Sequence, residues 1–139
     1  CIRDRFNINS PEFQDLKLLV QTLHAAGADV QYVSIPSNGR WYDHIGIKKD
    51  RREAVYKKIH STVVDNGGKI YDLTNKDYEK YVISDAVHIG WKGWVYVDQQ
   101  IARHMDGHAP KNHEVDYSKN KPPHKHHNDR QDDQHQGNK

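Results

Sequence analysis

Apolar residues recur every three or four positions in three stretches of the sequence, and this spacing predicts three amphipathic helices. The first begins after Ser10 and Pro11, which suit the N-cap and the first turn, and it stops at Gly27. The second has Asp50 as its cap and ends at Gly67–Gly68, and the last runs over 91–104. The inward positions predicted for the first two helices are Phe13, Leu16, Leu19, Val20, Leu23, Ala54, Val55, Ile59, Val63 and Val64.

Two short runs rich in β-branched and aromatic residues predict strands at 30–35 and 69–73. A loop is predicted between them over 37–49, and a short helix over 76–80 follows the second strand. The alternation of helix and strand predicts an α/β fold whose strands are joined by crossover helices in a parallel sheet. Because two strands make a small sheet, we expect the C-terminal half of a doubly wound domain whose first strands precede this chain.

The sequence changes in character in its last quarter. Of all 139 residues 35% are apolar, but from 106 onward only Ala109, Val115 and Tyr117 offer appreciable side chains for a core. Such a stretch buries too little surface to offset its ordering entropy. Residues 1–105 are therefore predicted to form the folded part, and 106–139 a disordered, polar, His-rich tail. Histidines are frequent there without a defined ligand spacing, so no metal site is predicted.

Net charge, the length of apolar runs and the cysteine count exclude some classes of protein. Lys and Arg number 21 against 19 Asp and Glu, a net charge of +2, which gives no support for a nucleic-acid binder held by phosphate neutralisation. No apolar run approaches the roughly 18 residues that a membrane-spanning helix needs. The single cysteine, Cys1, excludes an intrachain disulfide framework.

In open parallel sheets, ligands bind beyond the carboxyl ends of the strands, so the loops after the two strands are where chemistry is expected. The second loop places Asp85 three residues before His88, just ahead of the last helix. A carboxylate at that spacing can accept the imidazole Nδ1 proton and leave Nε2 as a general base. The same pattern also suits a surface histidine near a helix start, with a solvated or capping aspartate.

Two segments of the sequence resemble a known family. Residues 33–43 read VSIPSNGRWYD and residues 85–98 read DAVHIGWKGWVYVD, which is similar to the C-terminal part of the DltD family of D-alanyl-lipoteichoic acid biosynthesis. The resemblance spans most of 10–105 and leaves out the tail. That family is in turn similar to the SGNH hydrolases, whose last block is Asp-x-x-His with a glycine five residues later. Asp85, His88 and Gly93 fit that block.

The resemblance implies a flavodoxin-like, SGNH-hydrolase-like three-layer domain with His88 as base and Asp85 as its orienting acid in a Ser-His-Asp site. It implies no cofactor, and it places the nucleophilic serine upstream of this chain, so the chain is expected to be inactive alone. The implied role is D-alanyl transfer to lipoteichoic acid in the Gram-positive cell wall, with thioesterase cleavage of D-alanyl carrier protein as an alternative. The implied partners are a membrane-bound O-acyltransferase, the carrier protein and lipoteichoic acid. The implied location is the extracytoplasmic face of the membrane, through an N-terminal anchor that this chain lacks.

The loop after the first strand supplies candidate substrate-binding residues, namely Asn38, Arg40, Trp41 and Tyr42. They line an acyl or glycerol-phosphate site in one interpretation, and in the other they form a turn with aromatic side chains packed beneath it.

Two further features allow a docking module as an alternative to an enzyme. Trp91 and Trp94 share one face of the last helix, where core packing or packing beside His88 competes with contact to a membrane interface. A basic cluster predicts a solvated helix face or, alternatively, attraction to a polyanionic polymer or anionic lipid. The cluster comprises Lys48, Lys49, Arg51, Arg52, Lys57 and Lys58.

Overall fold

The structure is a computed structural model that describes residues 6–113 and 115–122. Its helices are α1 (Glu12–Ala25), α2 (Gly39–His44), α3 (Lys49–Asp65) and α4 (Trp91–Met105), and its strands are β1 (Gln31–Ser34) and β2 (Lys69–Asp72). A single 3-10 turn over Thr74–Lys76 follows β2. No helix in the described ranges has the length and apolar character to cross a bilayer.

The two strands pair in parallel, as the alternation of helix and strand predicted. Tyr32 lies opposite Ile70 and Val33 opposite Tyr71 in the register. Ile70 faces α1 and α3, where it joins a buried cluster with Val20 and Val63. Its neighbour Tyr71 points to the opposite face, since side chains alternate along a strand, and there it interacts electrostatically with residues of α4. Helices therefore flank both faces of the pair.

The α/β class is confirmed at this level, while the assignment to one half of a three-layer SGNH-like domain stays a prediction. Helix α1 ends just before Gly27, which adopts the left-handed φ of 71° expected of a C-terminal stop. Helix α3 begins at Lys49, one residue before the predicted cap. Two predicted inward positions were wrong, because Leu19 is half exposed and Ala54 is exposed.

Two local predictions differ from the structure. The segment 37–49 contains the six-residue helix α2, and Asn38 caps it by accepting a hydrogen bond from the amide of Trp41 at 3.2 Å. The helix predicted over 76–80 is instead the 3-10 turn that ends at Lys76. In both places the backbone amides and carbonyls find hydrogen-bond partners within one or two turns. Elements this short contain too few apolar positions for helical periodicity to show in the sequence.

The packed part of the chain extends beyond residue 105. Tyr117 is buried in a cluster with Phe6, Tyr42 and Tyr56, and its hydroxyl lies 2.6 Å from the Thr74 hydroxyl. Along β2, the side-chain amide of Asn112 accepts a hydrogen bond from the Ile70 amide and donates one to the Gly68 carbonyl. The stretch 106–122 therefore differs, where described, from the disordered tail that was predicted. The prediction for 123–139 lies outside the described residues.

Candidate functional site

The segment before α4 folds into a tight loop that presents Asp85 and His88. An antiparallel bridge between Ile83 and Ile89 closes the loop, and the amide of Ser84 donates to the carbonyl of His88 at 2.8 Å. These hydrogen bonds hold the two ends of the loop together. The backbone of this loop, and not a helix, therefore sets the distance between the aspartate and the histidine.

The two side chains are joined by a direct hydrogen bond. Nδ1 of His88 lies 2.6 Å from Oδ2 of Asp85, and Oδ1 accepts from the amides of His88 and Val87, both at 2.9 Å. These three hydrogen bonds, led by those from the two amides, hold the pKa of the Asp85 carboxyl well below its ordinary value. The charged carboxylate orients the imidazole through Nδ1, and the His88 side chain is 77% exposed. Such a ring can act through Nε2 on a group brought to this surface.

Asn38 joins the loops that follow the two strands. Its side-chain amide donates to the carbonyl of Asp85 at 2.7 Å, and its backbone amide donates to the carbonyl of Ala86 at 3.0 Å. The same side chain caps α2 through its oxygen. Asn38 and the Asp85–His88 pair therefore lie within one hydrogen-bonded unit, and chemistry beyond the carboxyl ends of the strands stays a prediction.

The other three candidate substrate-binding residues lie in different environments. Arg40 is exposed and, with Asn38, lines a cavity of about 170 Å³. Trp41 is 39% exposed, and its ring meets that of Tyr42 edge to face at 5.0 Å between centroids. Tyr42 is buried in the core against Phe6, so a ligand at the surface does not reach it. The packing interpretation therefore applies to Tyr42, and Asn38, Arg40 and Trp41 remain candidates.

A buried ionic network lies beneath this surface, and the sequence analysis missed it. Arg52 is fully buried and bonds the carboxylates of Asp43 at 2.7 Å and Asp77 at 3.1 Å. The hydroxyl of Tyr78 donates to Asp43 at 2.6 Å, and burial together with that carboxylate raises the pKa of Tyr78 to about 12. Asn120 donates to the other oxygen of Asp77 at 2.6 Å. All these polar groups are thereby paired, as burial requires.

The network reaches the candidate site through Gly39. Its amide donates to the carbonyl of Asp77 at 2.8 Å, and a Cβ at this position would lie 2.7 Å from the Tyr78 ring. Gly39 therefore lets the start of α2, with Asn38 as its cap, lie directly against the network. The sequence signal for this contact was the Asn-Gly pair, which is equally typical of an ordinary turn.

The basic cluster is not a uniform solvated face. Arg52 belongs to the buried network, Lys49 pairs with Glu53 at 3.2 Å, and Lys58 lies 4.7 Å from the centre of the Phe13 ring. The prediction of a solvated face is therefore wrong for Arg52. Lys48 and Lys57, by contrast, are exposed.

The start of α4 is held by one carboxylate and by close backbone packing. Glu79 bonds Lys92 at 2.5 Å, the Tyr96 hydroxyl at 2.7 Å and Lys76 at 3.0 Å. A Cβ on Gly93 would lie 2.5 Å from the carbonyl oxygen of Val82, so only glycine allows the helix this close. The glycine five residues after His88 thus has a packing role of its own.

Glu79 predicts a pH dependence of stability. Burial raises the pKa of its carboxyl, but the hydrogen bonds from Lys92, Tyr96 and Lys76 outweigh burial and lower the pKa from 4.5 to about 2. The unfolded chain takes up this proton first, so the stabilisation is complete above about pH 4.5 and is lost as the pH falls towards 2. We expect Glu79→Gln to lower the free energy of unfolding by about 1–2 kcal/mol at pH 7 and by much less at pH 3, measured by urea unfolding. An equal effect at both pH values would contradict this assignment.

Trp91 and Trp94 are exposed, at 64% and 53% of their surfaces. The prediction that these residues pack in the core is therefore wrong, although the ring centre of Trp91 lies 5.6 Å from that of Tyr81. Contact with a membrane interface stays a prediction. Among the described residues, no group of three or more histidine, cysteine or acidic side chains is placed to hold a metal ion.

The chain matches known proteins over most of its length. The family model described as DltD protein matches residues 3–106. Protein DltD of Staphylococcus aureus (strain NCTC 8325 / PS 47) is 80% identical over 115 residues, which are 83% of this chain and 29% of that protein. Protein DltD of Bacillus subtilis (strain 168) is 42% identical over 92 residues, 66% of this chain and 24% of that protein. Protein DltD of Lacticaseibacillus rhamnosus is 28% identical over 95 residues, 68% of this chain and 22% of that protein.

The chain thus spans less than a third of the length of these curated relatives. Both segments that carried the resemblance, 33–43 and 85–98, lie inside the stretch that the family model matches. This chain belongs to the DltD family.

Proposed function

We propose that this chain supplies the histidine and aspartate of a Ser-His-Asp site that transfers a D-alanyl group to lipoteichoic acid. The observation that carries the proposal is the Asp85–His88 pair, in which a carboxylate held by two backbone amides accepts from Nδ1 at 2.6 Å. This arrangement selects the tautomer in which Nε2 can take a proton. Its position beside Asn38, beyond the strand ends, adds support.

The proposed reaction has two steps that balance in protons. In the first, Nε2 of His88 takes the proton of a serine hydroxyl while the serine oxygen attacks the D-alanyl carbonyl, and the imidazolium returns the proton to the leaving group. In the second, His88 takes the proton of an acceptor hydroxyl whose oxygen attacks the D-alanyl-serine ester, and the imidazolium returns that proton to the departing serine oxygen. Asp85 remains ionised throughout, because its hydrogen bonds lower its pKa.

The nucleophile is proposed to come from outside this chain. Among the serines here, Ser84 donates to the His88 carbonyl at 3.1 Å, Ser61 donates to the Lys58 carbonyl and Ser34 is buried. No described serine hydroxyl is hydrogen-bonded to the His88 ring. The longer relatives have room for such a residue, since this chain covers 29% of the S. aureus protein. We place the assembled site on the extracytoplasmic face of the membrane, through an anchor in that longer protein.

Two alternatives have specific support. The exposure of the histidine side chain to 77% allows water to reach the same pair, which favours thioesterase cleavage of D-alanyl carrier protein. The exposure of Trp91, Trp94 and Met105 on α4, the last at 82%, favours docking to a membrane-bound O-acyltransferase without catalysis.

A chimaera tests the proposal with an assembled protein. The part of the S. aureus relative that matches this chain is replaced by this chain, and the chimaera is expressed in cells lacking their own DltD. We expect D-alanine esters on lipoteichoic acid with the parent sequence and with His44→Ala, an exposed histidine outside the site, but not with His88→Ala. Equal ester content with His88→Ala would favour docking. Release of free D-alanine from D-alanyl carrier protein by the purified chimaera, with no ester formed, would favour the thioesterase.

A further inference from the structure

A cavity of about 440 Å³ lies beside β2, away from the candidate site. Its walls come from β2, the C-terminal half of α4, His60 of α3, and the residues 108–111, His113 and Val115. Asn112 holds that segment against the strand through its two hydrogen bonds to Ile70 and Gly68, at 3.0 and 2.9 Å. This wall of the cavity is therefore held to the strand by two hydrogen bonds between the Asn112 side chain and the backbone.

Nitrogen-bearing side chains line much of this cavity. They are the cations Arg103 and Lys111 and the imidazoles of His60, His108 and His113. Asp72 is the only acidic residue among the described lining residues, and it is occupied by His60 Nδ1 at 3.0 Å and by the Thr74 hydroxyl at 2.6 Å. Arg103 and Lys111 line the cavity and form no ion pair with another described residue.

Gln100 adds a hydrogen-bond donor without an acceptor. The residue lines the cavity and is only 7% exposed. Its side-chain nitrogen Nε2 is buried and has no hydrogen-bond partner among the described residues. A buried donor left unpaired is costly, and an oxygen atom from a ligand would satisfy it.

We infer that this cavity binds the phosphate group of an organic ligand. Guanidinium, ammonium, imidazole and amide N–H groups all donate, and an oxyanion with several acceptor oxygens matches them. The volume is that of a site for a small organic molecule, so the phosphate carries an organic part that can contact Ile70, Pro110 and Val115. The inference does not rest on the proposed function. Arg103 lies about 18 Å along α4 from Trp91, at 1.5 Å per residue, and His88 precedes that helix.

Titration of the ¹⁵N-labelled full chain tests this inference. The probes are inorganic phosphate, phenyl phosphate and the neutral analogue benzyl alcohol. We expect phenyl phosphate to shift the side-chain amide signal of Gln100 and the backbone signals around Lys111, and to bind more tightly than inorganic phosphate. Benzyl alcohol is expected to produce no shift there. Shifts with benzyl alcohol as large as those with phenyl phosphate would overturn the inference, because the cavity would then recognise the ring and not the phosphate.

Matched variants separate the cavity from general charge attraction. Lys111→Ala and Gln100→Leu are each expected to weaken phenyl phosphate binding about tenfold, the size of one charge-assisted hydrogen bond. Lys119→Ala removes the same charge from the same segment outside the cavity and is expected to leave the affinity unchanged. Equal loss in Lys111→Ala and Lys119→Ala would overturn the inference.

One more probe identifies the source of the phosphate. Dihexanoyl phosphatidic acid, used below its micelle-forming concentration, carries the same phosphomonoester on a lipid. Lys111-dependent binding of this probe at least as tight as that of phenyl phosphate assigns the cavity to a lipid headgroup. Binding of phenyl phosphate alone assigns it to a water-soluble phosphate ester.

Discussion

Replacing Arg52 by leucine is expected to lower the free energy of unfolding by about 3–5 kcal/mol. The guanidinium is fully buried, and Asp77 beside it has no exposed side-chain surface. Without Arg52, the carboxylate of Asp77 stays buried with only the amide of Asn120 as a side-chain partner, and Asp43 loses a hydrogen bond of 2.7 Å. Urea unfolding at pH 7, followed by circular dichroism, measures the difference.

Two further variants make this result specific to the network. Arg40→Leu makes the same exchange at an exposed position and is expected to change the free energy of unfolding by less than about 0.5 kcal/mol. Adding Asp77→Asn to Arg52→Leu removes the uncompensated charge and is expected to restore part of the loss. If Arg52→Leu were no more destabilising than Arg40→Leu, the buried network would not hold the fold together.

Replacing His88 by alanine is expected to slow the reaction of the assembled serine site by about 10²–10⁴-fold, the usual contribution of a general base. The chimaera with the S. aureus relative would assemble the proposed site, and the rate of labelling by a fluorophosphonate probe would report the reactivity of the proposed serine. Asp85→Asn is expected to slow labelling over the same range. The asparagine oxygen can still accept from the amides of Val87 and His88. The negative charge of the carboxylate, which stabilises the imidazolium, is lost.

His44→Ala serves as the matched control, since it removes an exposed imidazole from α2. Its labelling rate and free energy of unfolding should equal those of the parent chimaera. Labelling that is equally fast in His88→Ala and His44→Ala would show that His88 does not activate the serine. A loss in His88→Ala that accompanied unfolding would point instead to a structural role, which circular dichroism of the same sample detects.

The hydrogen-bonded groups around Arg52 and those around His88 differ in burial, and this difference gives them different roles. Around Arg52, the polar groups are paired, and the guanidinium and Asp77 are fully buried, so the network fixes Gly39 and the start of α2. Around His88, one carboxylate is pinned while the imidazole stays exposed. The first arrangement gives rigidity, and the second leaves an oriented imidazole accessible. Asn38 lies between them, capping α2 and holding the Asp85 loop.

The sequence by itself determined the elements that depend on local spacing. Helical periodicity located α1, α3 and α4, the β-rich runs located the two strands, and their alternation predicted the parallel pairing. The pairing of Asp85 with His88 was also predictable, since they lie three positions apart and the backbone of one loop sets their distance. These features follow from patterns of residue types along the chain.

Only the tertiary structure decided which side chains distant in sequence meet. Asn38 meets Asp85 across 47 residues, Arg52 meets Asp77 across 25, and Tyr117 meets Thr74 across 43. An arginine in a basic run, a tyrosine in a polar tail and a glutamine on a helix have no local pattern that marks them as buried. Their positions follow from how the helices and the strand edge pack, because burial selects whichever polar groups find partners there.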